Sequence, residues 1–114
     1  MATGVLQALD AKGLKGKVGV TGIDGNGDIV EAILEKNAVA TVSSNGFLQG
    51  GYSFAIAYAA WTGLMDVESM PASHREFFTE GKLVSVDNVQ EYYKDFIEGK
   101  PTYDFSDIWF CVDE

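Results

Sequence analysis

The chain has 114 residues, enough for one domain at most, and 46% of them are hydrophobic, as in a globular protein. Seventeen acidic against eight basic residues give a net charge of −9 at pH 7. This acidity argues against binding to DNA or RNA and against docking on anionic lipid, because both need clustered Lys and Arg side chains.

The first half of the chain predicts a helix followed by a compact βαβ unit. An apolar face on residues 5–12 predicts the first helix. The run at 17–23, which is β-branched and uncharged after Lys17, predicts a strand that is covered on both faces. Apolar residues at helical spacing predict a helix over 29–36, and "VATVS" at 39–43 predicts a second strand, parallel to the first.

The segment at 46–65 contains no charged residue. Hydropathy alone flags it as a membrane span, but glycines and polar residues interrupt it and no basic residues flank it. It therefore predicts a helix, residues 47–63, that is buried on nearly every side of a soluble protein. Further along, "KLVSV" at 82–86 predicts a third strand, and an apolar stripe over 87–98 predicts a last helix before an aromatic tail.

Two chemically reactive side chains lack the pattern of a catalytic residue. His74 stands in a polar loop with no nucleophile motif near it, and we expect it to be solvated. Cys111, the single cysteine, cannot close a disulfide within the chain, and we expect a buried, unreactive thiol. No carboxylate pair is placed as acid and base either, so the sequence predicts a protein that is not an enzyme.

The turn "IDGNGD", between the first predicted strand and the helix after it, carries two aspartates and allows four interpretations. In the first, the turn binds calcium: Asp24, Asn26, Asp28 and Glu35 have the spacing of ligands in an EF-hand loop. Ile29 departs from that pattern, because it stands where the sharp turn of such a loop needs glycine.

The second and third interpretations are a dinucleotide site and a helix cap. "GNGDIV" has two of the three glycines of a dinucleotide fingerprint, but Val30 takes the place of the third. The carboxylates of Asp24 and Asp28 would also repel a pyrophosphate. Alternatively, Asp24 or Asp28 simply caps the helix that begins near Ile29.

The fourth interpretation is a sugar or polyol site at the ends of the strands. Asp24 follows the first strand, and Ser44 and Asn45 follow the second. Ligands of open α/β sheets lie outside the carboxyl ends of the strands. A carboxylate there accepts two hydroxyl hydrogen bonds, and a hydroxyl and an amide add further partners for a sugar ring. Asp24, Ser44 and Asn45 are therefore the candidate ligand-binding residues.

The order of these motifs resembles the C-terminal part of periplasmic sugar-binding proteins, the ribose- and galactose-type receptors of ABC transporters. The likeness is carried by "GIDG" at 22–25, "NAVATVSS" at 37–44, "GFLQGG" at 46–51 and "REFFTEGKLVSVDNVQEYYKDF" at 75–96. "PTYDFSDIW" at 101–109 is similar to the C-terminal tails of some of these receptors. Together these motifs span most of the chain from Leu14 onward.

The resemblance implies an α/β fold, a partial type I periplasmic-binding-protein fold with a flavodoxin-like parallel sheet and flanking helices. Residues 1–114 would form a single partial domain: the C-terminal lobe plus the helix at 47–63, which would pack in the other lobe. The chain would cross between the lobes near 43–46 and near 78–84. Because such receptors are roughly twice as long or more, the chain would be a C-terminal fragment.

The resemblance also implies a site and a set of partners. Asp24 matches the carboxylate that binds sugar hydroxyls in the family. Ser44 falls where the family commonly has glutamine, and Gly46 falls near the family's next proline, so the sequence departs from the pattern at both. The implied function is sugar binding for an ABC importer, with a membrane permease as partner and no cofactor or metal.

The N-terminus lacks a secretory signal, so the protein is either cytosolic or, as the resemblance implies, periplasmic with its signal on a part outside this sequence. An effector-sensing domain of a lactose-repressor-type regulator and a standalone flavodoxin-like domain of unrelated role are the alternatives. Because the helix at 47–63 needs apolar partners, we expect a homodimer or larger assembly that could exchange this helix.

Overall fold

The computed structural model describes residues 1–72 and 78–105. They form two compact units: the first holds residues 1–44 and 81–101, and the second holds the described parts of 45–80 and 102–114. The boundaries after Ser44 and before Gly81 fall within the segments that the sequence resemblance assigns to lobe crossings. His74, Cys111 and most of the aromatic tail lie outside the described residues.

The first unit contains three helices and three strands. In chain order they are α1 (Ala2–Ala11), β1 (Thr21–Ile23), α2 (Gly27–Leu34), β2 (Ala40–Ser43), β3 (Lys82–Ser85) and α4 (Val89–Tyr92), which continues as a π-helical segment, Tyr93–Glu98. The second unit contains one helix, α3 (Gly46–Trp61), among the residues that the structure describes. Every predicted element is present, although β1 is shorter than the predicted strand at 17–23.

The strand order in the sheet is β1-β2-β3, with β1 and β2 parallel, as the predicted βαβ unit requires. The sheet is not parallel throughout, because β3 runs antiparallel to β2. The register explains the reversal, because Ser43 at the end of β2 pairs with Lys82 at the start of β3. The chain leaves the sheet and returns to it at the same edge, so the returning strand must run in the opposite direction.

The helices of the first unit cover one face of the sheet. Thr41 and Val84 lie in the covered row, and Ile29, Val30 and Ile33 of α2 are almost fully buried in the same core. Gly22 belongs to this row, and a Cβ built there would lie 3.1 Å from Ile29 Cγ1. The absence of a side chain at Gly22 thus lets α2 approach the sheet closely.

The opposite face of the sheet carries a row of exposed apolar side chains. Ile23, Val42 and Leu83 are register partners across the three strands, and Ile23 and Leu83 are 72% and 60% exposed. The prediction that the first strand is covered on both faces is therefore wrong for the part of the chain that the structure describes. The sequence pattern shows that a strand is apolar, but it cannot show whether a second layer is present.

Helix α3 is described by itself, as part of the second unit. Only Tyr52 and Ala59 are buried among its residues. Phe54 and Trp61 are 73% and 80% exposed, so the described residues of this chain do not cover the helix on every side. Among the described residues, no helix has both the length and the apolar character needed to span a membrane.

Candidate functional site

The candidate site begins with the turn that follows β1. Asp24 and Gly25 have φ angles of 85° and 64°, so two successive residues adopt left-handed backbone conformations. The backbone N–H of Asp24 donates a 2.7 Å hydrogen bond to the carbonyl of Val42, which extends the β1–β2 ladder to the turn. The turn is therefore attached directly to the neighbouring strand.

Gly25 is the residue that allows this close attachment. A Cβ built at Gly25 would lie 2.8 Å from Ser43 Cβ and 3.1 Å from the hydroxyl oxygen of Tyr92. A positive φ is also costly for any residue with a side chain. Glycine is therefore required here by both backbone conformation and space, and its presence fixes the position of Asp24 beside the end of β2.

The ends of β1 and β2 bring together two of the three sequence-predicted site residues. Ser44 Oγ donates a hydrogen bond to Asp24 Oδ1 at 3.4 Å, although the two residues are 20 positions apart. Asp24 is exposed and Ser44 is half-buried, so both present polar groups at the carboxyl edge of the sheet. We call this pair, Asp24 and Ser44, the strand-end site.

The third predicted residue, Asn45, serves a different element. It is the N-cap of α3 and belongs to the second unit. Its Oδ1 atom accepts hydrogen bonds from the Leu48 backbone N–H and from the Tyr103 hydroxyl, each at 3.3 Å. The oxygen of the amide group that the sequence offers to a sugar is thus engaged within the second unit.

The predicted helix cap is also reassigned. Asn26, and neither Asp24 nor Asp28, caps α2, because its Oδ1 atom accepts a hydrogen bond from the Ile29 backbone N–H. Asp28 lies in the first turn of α2, where a negative charge is favoured by the helix dipole. The carboxylate of Asp24 is therefore not used as a helix cap.

The calcium interpretation requires the residues with EF-hand-like spacing to surround one point. Glu35 is the C-cap of α2, at the opposite end of the helix from Asn26. A helix of eight residues is about 12 Å long, so these two side chains begin far apart. The EF-hand-like spacing thus does not bring its ligands to one point. Among the described residues, no group of three or more His, Cys, Asp or Glu side chains could hold a metal ion.

The sequence did not predict the two buried, hydrogen-bonded side chains that lie next to the strand-end site. Ser43 and Tyr92 are both buried, and the Tyr92 hydroxyl donates a 2.8 Å hydrogen bond to Ser43 Oγ. The Tyr92 ring stacks on Phe96 with a centroid separation of 4.7 Å, and Lys82 Nζ lies 5.5 Å from the Phe96 centroid. Hydrophobic periodicity assigns Tyr92 correctly to an apolar stripe but does not indicate which residue its hydroxyl bonds to.

A separate groove of about 210 Å³ lies between α1 and α2. It is lined mainly by polar and acidic side chains, among them Asp10, Glu31 and Glu35, with Lys15 beside them. Neither residue of the strand-end site lines it. The groove is therefore distinct from the candidate site.

Sequence comparison identifies the family to which this fold belongs. Residues 1–65, more than half of the chain, match the family described as "Periplasmic binding protein domain". The chain therefore belongs to the periplasmic binding protein family. Among proteins with curated descriptions, none matches the chain.

A solved structure extends the comparison to nearly the whole chain. The chain is similar to the twin-arginine translocation pathway signal protein from Burkholderia phytofirmans, with 30% sequence identity and a TM-score of 0.85. The match covers 98% of this chain but 34% of that protein, so this chain spans about a third of its relative's length. The expected partial type I periplasmic-binding-protein fold is confirmed.

Family membership carries a general function. Periplasmic binding proteins bind small-molecule solutes, typically pass them to a transporter and typically catalyse no reaction. The family as a whole is associated with the periplasm. The resemblance of the sequence to periplasmic binding proteins is therefore confirmed.

Proposed function

We propose that this chain is the C-terminal portion of a periplasmic receptor that binds a sugar or related polyol for an ABC importer. The first unit corresponds to one lobe of the receptor, and α3 corresponds to a helix of the other. The complete protein is periplasmic or otherwise extracytoplasmic. Its partners are the small-molecule sugar, the membrane permease of the importer and a further copy of the chain.

The observation that carries the proposal is the hydrogen-bonded pair of Asp24 and Ser44 at adjacent strand ends. An ionised carboxylate accepts hydrogen bonds only, so it suits the hydroxyl groups of a sugar and disfavours phosphate or another anion. The Ser44 hydroxyl can both donate and accept, which matches the mixed hydrogen-bonding character of a sugar ring. The net charge of −9 likewise favours a neutral ligand over an anionic one.

Rigidity of the turn is the second support. Gly25 packs against Ser43, and the Asp24 backbone is bonded to Val42, so the backbone that carries the carboxylate is held in place before any ligand arrives. A preorganised group binds with a smaller loss of conformational entropy. The arrangement therefore suits recognition of a ligand better than it suits a flexible surface turn.

The test is a titration of the isotopically labelled chain with neutral monosaccharides and polyols, followed by amide chemical shifts. We expect the shifts to concentrate at residues 23–25 and 43–44 and to saturate with at least one sugar. Asp24→Asn should weaken binding about 10- to 100-fold, the effect of losing charged hydrogen bonds.

Asp28→Asn is the matched control, because Asp28 carries the same charge four residues away, in the first turn of α2. It should leave the affinity within about twofold. Equal losses from both variants would indicate a general charge effect. Saturable binding with no shifts at the strand-end residues would contradict the proposed site.

A further inference from the structure

Two asparagines of the chain are followed directly by glycine, in the pairs Asn26–Gly27 and Asn45–Gly46. Such a pair can rearrange spontaneously, because the backbone nitrogen of the glycine attacks the side-chain carbonyl carbon of the asparagine. A side chain on the second residue hinders the attack, whereas glycine leaves its nitrogen accessible. The sequence makes the two pairs chemically equivalent, so only the structure distinguishes their reactivity.

Both pairs stand at the start of a helix, where the attacking nitrogen is not engaged by the helix itself. Gly27 is the first residue of α2, and Gly46 is the first residue of α3. The first N–H groups of a helix have no partner within it. Among the described residues, nothing beyond the adjoining chain lies within 4 Å of a Cβ built at either glycine. Access to the nitrogen is therefore similar in the two pairs.

The backbone angle ψ of the asparagine differs between the pairs. The ring closes when the glycine nitrogen lies beside the asparagine Cβ, which tetrahedral geometry at Cα places at a ψ of about −120°. Asn26 has a ψ of 163°, so a rotation of about 75° brings the nitrogen to Cβ. Asn45 has a ψ of 65°, so its nitrogen lies opposite Cβ and must rotate by about 180°.

The side chain of Asn26 is also held by fewer of the described hydrogen bonds. Asn26 is exposed, and its Oδ1 atom accepts a hydrogen bond of 3.4 Å from the Ile29 backbone N–H. Asn45 is half-buried, and its Oδ1 atom accepts hydrogen bonds from both the Leu48 N–H and the Tyr103 hydroxyl. Because the side chain must leave these donors to reach the nitrogen, the barrier is higher at Asn45.

The other two asparagines of the chain precede residues that have side chains. Asn37 is followed by Ala38 and Asn88 by Val89, and both following residues are buried. The Asn88 side chain also makes hydrogen bonds of 2.8 and 2.9 Å with the backbone between β3 and α4. We therefore expect both to react more slowly than Asn26.

We propose that Asn26 is a site of spontaneous deamidation. The Gly27 nitrogen gives its proton to solvent base as it bonds to Asn26 Cγ, and the bond from Cγ to the side-chain nitrogen breaks, releasing ammonia. The product is a five-membered succinimide. Water then opens this ring by adding OH to one carbonyl carbon and a proton to the Gly27 nitrogen. Opening at Cγ gives aspartate, and opening at the main-chain carbonyl carbon gives isoaspartate.

The two products have different effects on the turn. Aspartate keeps an oxygen for capping α2, and the helix dipole favours its negative charge. Isoaspartate lengthens the main chain by one methylene between Gly25, which packs against Ser43, and Ile29, which is 2% exposed. Since neither end of this segment can move easily, the turn that carries Asp24 must deform. The inference does not depend on ligand binding, so its failure is distinguishable from failure of the sugar-binding proposal.

The first experiment incubates the folded chain at mildly alkaline pH and follows each asparagine by peptide mapping and mass spectrometry. Each event replaces an amide NH2 by OH, which adds about 1 Da and a negative charge. We expect Asn26 to react about 10-fold faster than Asn45 or more, because Asn45 must lose a further hydrogen bond. In concentrated urea the two rates should agree within about twofold, since the fold no longer separates the pairs.

The second experiment identifies the attacking nitrogen. Gly27→Ala has space for its methyl group and should slow the reaction at Asn26 about 10-fold or more, with no change at Asn45. Gly46→Ala is the matched control and should leave the rate at Asn26 unchanged. Circular dichroism establishes that each variant is folded. A protease that cleaves before aspartate but not before isoaspartate separates the two products.

Three outcomes overturn the proposal. Equal rates at Asn26 and Asn45 in the folded wild type mean that the backbone angle and the capping bonds do not control the reaction. An unchanged rate at Asn26 in Gly27→Ala excludes attack by the Gly27 nitrogen. A pair that reacts in urea but not at Asn26 of the folded chain means that the cap of α2 protects this residue.

Discussion

The hydroxyl of Tyr92 donates a 2.8 Å hydrogen bond to Ser43 Oγ, joining the end of α4 to the end of β2 across 49 residues of sequence. Both residues are buried. Ser43 packs against Gly25 and precedes Ser44. The bond therefore fixes a buried residue that adjoins both parts of the strand-end site. The last helix of the chain is thus coupled to the turn that carries Asp24.

Tyr92→Phe removes this hydrogen bond while keeping the aromatic ring that stacks on Phe96. We expect the free energy of unfolding to fall by about 1 kcal/mol, measured by urea denaturation. Tyr93→Phe, at the adjacent half-buried position, is the control and should have a smaller effect. Equal stabilities of the wild type and Tyr92→Phe would show that the bond contributes nothing.

Gly25→Ala should be among the most destabilising single substitutions in the first unit. The added methyl group would meet Ser43 Cβ at 2.8 Å, and the positive φ adds about 1 kcal/mol of backbone strain. We expect a total loss of about 2–4 kcal/mol in the free energy of unfolding.

Gly27→Ala separates this effect from a general cost of replacing glycine. Gly27 is the first residue of α2, and a Cβ built there meets nothing within 4 Å. Because alanine favours the helical conformation, the variant should be neutral or more stable by up to about 1 kcal/mol. Similar losses at both positions would contradict the steric explanation.

Thr41→Val should stabilise the protein or leave its stability unchanged. Thr41 Oγ1 is buried and has no hydrogen-bond partner among residues 1–72 and 78–105. Valine has nearly the same shape and removes the cost of burying an unsatisfied hydroxyl, so we expect a gain of about 0–2 kcal/mol in thermal or urea unfolding.

Thr41→Ser is the informative counterpart, because it keeps the hydroxyl and removes the methyl group. It should lower stability by about 1 kcal/mol through lost apolar burial. If valine proves more damaging than serine, the hydroxyl has a structural role that its surroundings do not reveal.

Asn88→Ala should loosen the turn between β3 and α4. The Asn88 Oδ1 atom accepts a 2.8 Å hydrogen bond from the Ser85 backbone N–H, and its Nδ2 atom donates one of 2.9 Å to the Leu83 carbonyl. Losing both should cost about 1–3 kcal/mol in the free energy of unfolding. Asn88→Asp keeps the acceptor and loses the donor, so an intermediate loss is expected, and the reverse order would contradict this account.

Much of the candidate site could be predicted because short sequence patterns place its residues at the ends of strands. An apolar run followed by a turn, an amphipathic segment and another apolar run indicates a βαβ unit, and parallel strands end at the same edge. Asp24 and Ser44 therefore had to lie near each other once β1 and β2 were neighbours, and the structure places them in hydrogen-bond contact. Asn45 is the cap of α3 because this helix begins at Gly46, one residue before the predicted start.

The sequence by itself determined which segments become helices and strands, because hydrophobic periodicity and glycine positions act over a few residues. Only the tertiary structure decided the direction of β3, the exposure of the Ile23–Val42–Leu83 row and the bond between Tyr92 and Ser43. Each of these depends on which distant segments meet. An apolar pattern records that a side chain favours burial, but packing alone decides whether another layer covers it.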